Sequence, residues 1–202
     1  MTTALICLVM LSGQGGETKD ANGQRAGHKV ENYAVTELKK VVGKPAPNFQ
    51  TVDYKGQFAS LQKLRTKPVV LVFIERSCPC CKSGKPYFDR IQNVYGDVAN
   101  VVGVVTGTRA QAAGWRAVNT AQFNVVADPG SGIAKKFHAG AGLYTYLVGK
   151  DGKIALAYPG YSQSMLRELT AKIAKMAKVK DRHMEVRPAP TELTVGCGLE
   201  GK

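Results

Sequence analysis

Residues 68–74, Pro-Val-Val-Leu-Val-Phe-Ile, form an unbroken apolar run rich in β-branched side chains. They pass through Glu75-Arg76-Ser77 directly into Cys78-Pro79-Cys80-Cys81. An uninterrupted run of this length reads as a strand covered on both faces of a sheet. Such a strand needs helices on either side, and residues 82–94 supply the first. Tyr87, Phe88, Ile91 and Val94 recur there near helical spacing, and Pro86 inside the helix predicts a kink. A buried strand thus enters a helix through a turn built of cysteines.

The alternation continues downstream. Residues 100–105 read as a second buried strand and 110–118 as a helix with Trp115 against the sheet. Residues 123–127 read as a strand stopped by Asp128-Pro129-Gly130, and 133–137 as a short helix. Residues 143–148 and 154–158 flank Lys150-Asp151-Gly152-Lys153, a hairpin signal. Residues 162–177 close the series as an amphipathic helix. Ser162 is its N-cap, and Met165, Leu166, Leu169, Ile173 and Met176 lie on one face. Crossover helices imply parallel strands, and the hairpin adds an antiparallel pair. The fold class is therefore α/β, a central mixed sheet flanked by helices with a C-terminal hairpin and helix.

A length of 202 residues fits one domain with extensions. The domain is expected over residues 41–177. Pro45 and Pro47 keep its entry extended, residues 49–52 form a short strand, and residues 36–42 form a short helix or an entry strand. Residues 15–40 are rich in Gly, Gln, Asn and Lys and read as a flexible leader. Residues 178–202, with Pro188, Pro190 and mixed charges, read as an irregular tail. The apolar residues 4–11 are too short to span a bilayer but fit the core of a secretory signal, with residues 1–14 as the candidate segment. The first basic residue is Lys19, so the usual positive start is missing. Cleavage would remove Cys7 and leave four cysteines. Extracytoplasmic localisation, periplasmic or secreted, is the resulting expectation, with no stable membrane span.

Of the net charge of +13, residues 41–177 carry +11. The positive charge belongs to the domain and not to a tail. No block of five Lys or Arg occurs, and aromatics do not interleave with the basic residues, so no nucleic-acid partner is expected.

Cys78 follows a strand and begins a helix. The unpaired N–H groups there favour a thiolate. Cys81 lies one helical turn on, within reach of a disulfide, and Lys82 adds positive charge that stabilises the thiolate. This arrangement suits attack by Cys78 on a disulfide, followed by resolution by Cys81. Zinc sites use the same spacing. The remaining candidates, Cys197, His28, His138 and His183, are not paired at ligand spacing, so neither metal nor cofactor is expected.

The segment from Cys78 to Pro86 resembles the active-site helix of thioredoxins, with C-x-x-C, a following Lys and a Pro five residues after the second Cys. The strand at 68–74, the segment 145–154 and the opening Val42-Gly-Lys-Pro-Ala-Pro-Asn-Phe49 are similar to the redoxin branch of that superfamily. This branch includes the alkyl hydroperoxide reductase/thiol-specific antioxidant (AhpC/TSA) proteins and extracytoplasmic thioredoxin-like oxidoreductases. The resemblance covers roughly residues 41–177. It implies a thioredoxin-like fold and a thiol–disulfide oxidoreductase with protein dithiol or disulfide substrates, Cys78 as nucleophile and Cys81 resolving. Two alternatives are a thiol peroxidase with antioxidant activity and a copper-binding thioredoxin-like carrier.

Three departures bear on these alternatives. No Pro occupies 143–145, where thioredoxins carry the cis-Pro that faces the disulfide. The Thr and Pro of peroxidatic redoxins are replaced by Glu75 and Leu71. The buried carboxylate under the second Cys of thioredoxin becomes Val72, which leaves Glu75 as a proton relay or a solvated loop residue. Cys80 and Cys197 are auxiliary thiols. Cys80 has three readings: a pair with Cys197, part of a trisulfur cluster for a soft metal, or no role. Cys197 stands between glycines, so either the tail folds back and exchanges with the active-site cysteines or it is a lone tail thiol. His138 is the imidazole that a copper reading would use; His28 and His183 carry no assignment.

Overall fold

The computed structural model describes residues 16–199. The candidate signal segment and Cys7 lie outside the described residues. The chain runs β1 (Glu17–Lys19), β2 (Arg25–Lys29), α1 (Asn32–Lys39), β3 (Gln50–Val52), β4 (Phe58–Ser60), α2 (Leu61–Leu64) and β5 (Val69–Ile74). It continues α3 (Pro79–Tyr95), β6 (Asn100–Thr106), α4 (Arg109–Val118), β7 (Asn124–Asp128) and α5 (Gly132–Lys136). It closes with β8 (Thr145–Val148), β9 (Ile154–Tyr158), α6 (Gln163–Ala177) and β10 (Thr194–Val195).

The central sheet has the order β7-β6-β5-β8-β9. β5, β6 and β7 are parallel, and β8 and β9 are antiparallel additions. The mixed sheet therefore arises where crossover helices give way to the hairpin. Gly152 (φ 82°) makes the hairpin turn, and the Asp151 carboxylate accepts the Lys153 N–H.

β5 is buried over its whole length because each of its faces meets a different helical layer. Val70, Val72 and Ile74 pack with Phe88 and Ile91 of α3, Trp115 of α4 and Leu166, Leu169 and Ile173 of α6. Val69, Leu71 and Phe73 pack on the other side with Leu38 of α1, Leu61 of α2 and Ile133 of α5. Each such side chain contributes about 1.5–3 kcal/mol on burial, so this one strand fixes the position of the cysteine turn at its C-terminal end. α6 begins as expected, with Ser162 Oγ accepting the Met165 N–H at 3.2 Å. α4 opens with a capping box between Thr108 and Gln111.

The two terminal segments differ from the sequence reading. Residues 15–40 are not a plain flexible leader: within them lie the β1–β2 hairpin and α1. The Asp20 carboxylate accepts the N–H groups of Asn22 and Gln24 and closes the hairpin turn. The tail is mostly irregular, yet it contributes β10, which pairs antiparallel with β2 to give the order β1-β2-β10. It is also tied down elsewhere. Tyr95 Oη donates to the Asp181 carboxylate at 2.7 Å and accepts the Arg182 N–H at 2.8 Å, and Arg182 pairs with Asp97. Thr194 and Tyr161 exchange backbone hydrogen bonds. Val186, Ala189 and Thr194 are buried. Among the described residues, no helix is long and apolar enough to cross a membrane.

Candidate active site

Cys78 is the N-cap of α3, with extended backbone, and Pro79 takes the first helical turn, where its missing N–H costs nothing. The Cys78 N–H donates to the Glu75 carbonyl and the Cys81 N–H to the Cys78 carbonyl, both at 3.2 Å. The turn is thereby closed before the helix propagates. Cys78, Cys80 and Cys81 are all buried, Cys197 is half-buried, and all four are free thiols.

The tail brings Cys197 to this turn. Its backbone N–H donates to Cys78 Sγ at 3.0 Å. The approach is held by main-chain pairing: the Gly142 N–H donates to the Cys197 carbonyl at 2.8 Å, the Gly196 N–H to the Gly142 carbonyl at 2.9 Å, and Ala141 bridges antiparallel to Gly198. Close approach demands glycine at 142 and leaves little room for a side chain at 196. A Cβ on Gly142 would collide with Cys81 Sγ, and one on Gly196 would stand 3.1 Å from Cys78 Sγ and 3.3 Å from Cys81 Sγ. The place expected for a cis-Pro is thus taken by Gly142 and by Leu143, whose φ is 69°. Both backbone groups of Gly142 are already paired with the tail, and the Leu143 N–H donates to the Phe73 carbonyl of β5.

The four sulfurs are electrostatically unequal. Hydrogen bonds from the Cys80 and Cys81 thiols, then the Cys197 amide and thiol, hold the Cys78 thiol far below its ordinary range against the opposing effect of burial. Cys80 and Cys81 are pushed up, first by their bonds to Cys78 and then by burial. Cys197 is raised to about 11, mainly by burial. The arrangement favours a thiolate at Cys78, which receives donors from its neighbours.

Lys82 stands exposed on α3. The groups that lower Cys78 most are the neighbouring sulfurs and the Cys197 amide. Lys85 is turned instead to Asp89, at 2.6 Å. Glu75 is buried and not a solvated loop residue. One carboxylate oxygen accepts from the Ser77 N–H and Oγ, and the other has no hydrogen-bond partner. Its backbone N–H bonds to Cys81.

His138 is not among the groups gathered at the sulfurs; it lines a cleft with Val41, Lys44 and Tyr144. His28, which carried no assignment, is brought there: a ring nitrogen of His28 and the sulfurs of Cys80 and Cys197 all lie within 4.8 Å of one another. No periodicity marks its segment, and only the pairing of β2 with β10 places it.

Comparison with known proteins agrees with this geometry. The chain is 27% identical over 152 residues to the thiol-disulfide oxidoreductase ResA of Bacillus anthracis, covering 74% of this chain and 82% of that protein. It is 26% identical over 125 residues to peroxiredoxin Q, chloroplastic, of Oryza sativa subsp. japonica, covering 57% of this chain and 58% of that protein. A crystal structure of a putative thiol:disulfide interchange protein DsbE from Chlorobium tepidum superposes with a TM-score of 0.61 at 22% identity, covering 67% of this chain and 97% of that one. The fold is thioredoxin-like, and the model of the AhpC/TSA family matches residues 42–157, more than half of the sequence. The chain belongs to the AhpC/TSA family.

Proposed function

We propose that this thiol–disulfide oxidoreductase works through Cys78 as the attacking thiolate and Cys81 as the resolving thiol, on protein disulfides or dithiols. The observation that carries the assignment is the position of Cys78 Sγ, at the start of α3 with the Cys197 N–H aimed at it at 3.0 Å. In the reducing direction, the Cys78 thiolate attacks one sulfur of a substrate disulfide. A Cys78–substrate bond forms, and the other substrate sulfur leaves as a thiolate that takes a proton. Cys81 then loses its proton and attacks Cys78 Sγ; the second substrate sulfur leaves, and a Cys78–Cys81 disulfide remains. The substrate is reduced by two electrons and the protein is oxidised by two. The reverse sequence oxidises a dithiol.

The bond to Cys78 and then burial hold the Cys81 thiol well above its ordinary range, so resolution needs a base. Glu75, with an unpaired buried oxygen and its own backbone on Cys81, serves that role. Cys80 and Cys197 are auxiliary thiols, and Cys197 competes with Cys81 for the oxidised Cys78 sulfur. The peroxidase alternative is less well supported. Its expected Thr and Pro positions hold Glu75 and Leu71, and Leu71 is packed in the core on the far face of β5. The extracytoplasmic setting belongs to the same proposal and rests on the apolar residues 4–11, which fit the core of a secretory signal.

Turnover of insulin disulfides with dithiothreitol tests the assignment. Cys78→Ala should abolish the protein-dependent rate. A variant that turns over like the native chain would refute Cys78 as the nucleophile.

A further inference from the structure

The family region, residues 42–157, contains Cys78, Cys80 and Cys81. The two segments outside it converge on these cysteines from opposite ends of the chain. β2 pairs with β10 in register, Val195 opposite His28, so that one short sheet delivers an imidazole from the first segment and the Cys197 thiol from the second. With Cys80 from the first turn of α3, these side chains place one nitrogen and two sulfurs mutually within 4.8 Å. Disulfide exchange has no use for the imidazole. Among the described residues, the His28 ring makes no hydrogen bond; its backbone is held by pairing with Glu17 and Val195. It also lines, with Cys197, Gly198, Tyr33 and Tyr144, an open cleft of about 260 Å³ that gives the cluster a path from solvent.

We propose that His28, Cys80 and Cys197 form a three-donor site for copper(I) in the reduced protein. Two thiolate sulfurs and one imidazole nitrogen are soft ligands of the kind that select this ion. Three donors complete a trigonal copper(I) centre, whereas structural zinc takes four. Among the described residues, three donors come together here with no fourth, so a closed four-ligand zinc shell would have to draw on a thiol of the exchange pair. Binding displaces one proton from each thiol, and the ion's single positive charge is shared by two thiolates and a neutral ring. No electron is transferred. Occupation removes Cys197 from exchange and pins the tail to α3, so copper binding and tail exchange exclude each other.

The test is an anaerobic titration of the fully reduced whole chain with copper(I) against a chromophoric copper(I) chelator, with X-ray absorption at the copper edge on the loaded native protein. One copper per chain is expected, in a shell of two sulfurs and one nitrogen. His28→Ala and Cys197→Ser should each weaken binding by at least about tenfold. The edge spectrum keeps the proposal testable even if a variant folds poorly. An all-sulfur shell, unchanged affinity in both variants, loss only in Cys81→Ser, or zinc held by four donors in preference to copper(I) would each overturn it. The insulin assay with Cys78→Ala reads exchange separately, so either reading can fail alone.

Discussion

The Cys78 thiol is set by neighbours within hydrogen-bond reach more than by distant charge. Its thiol is held down chiefly by donors from Cys80, Cys81 and Cys197, and those three thiols are pushed up or left protonated. A lowered value means that the thiolate persists as pH falls. Alkylation of the metal-free reduced protein should therefore label Cys78 at similar rates at pH 8 and pH 6, whereas an ordinary cysteine slows about tenfold per unit below its ordinary value of about 8.5. Peptide mapping after iodoacetamide reads this directly. A Cys78 rate falling in step with an ordinary thiol would contradict the electrostatic account. Glu75→Gln should leave the first attack nearly unchanged and slow resolution by roughly 10²-fold, within the range for general bases, read as a mixed disulfide that builds up in rapid-quench experiments. Gly142→Ala should cost about 1–3 kcal/mol, because its Cβ meets Cys81 Sγ in a packed site; urea denaturation measures it.

At the scale of elements, the sequence reading succeeded where local pattern carries the information. β5 is a continuous apolar run, the Asp151-Gly152 hairpin is set by turn chemistry, and α6 shows its apolar face and its Ser162 cap in the sequence. It missed the β1–β2 hairpin and the seating of the tail because both depend on partners far away in the chain. β10 is two residues long and has no alternation to detect, and β2 is held by it. The tail's anchors are likewise nonlocal. Tyr95→Phe removes a donor to Asp181 and an acceptor for the Arg182 N–H. It should cost about 1 kcal/mol and make Cys197 more accessible to alkylation. The same latch depends on pH with a definite sign. Arg182 holds the Asp97 carboxyl below its usual range, and the Tyr95 hydrogen bond does the same for Asp181. Their stabilisation is present above the ordinary Asp value of about 3.9 and is lost as pH falls through the lowered values. Hydrogen-exchange protection over residues 181–199 should stay flat from neutral pH to about pH 5 and fall only below the usual carboxylate range. Loss of protection already at pH 6 would contradict this.

Across the whole molecule, a family core places a tightly packed cysteine turn at the end of its central strand, and the flanking segments 17–29 and 194–195 form one small sheet beside it. The central strand and the cysteine turn at its end could be read from residues 68–86 alone. The role of the ends could not, since His28 and Cys197 acquire a common neighbourhood only after β2 and β10 pair. The central claim is that Cys78, and no other sulfur of the cluster, takes the substrate. The direct measurement is to trap the intermediate of Cys81→Ser with a disulfide substrate and map the adduct by mass spectrometry without reduction. The substrate should be found on Cys78. An adduct on Cys80 or Cys197 with Cys78 free would contradict the account.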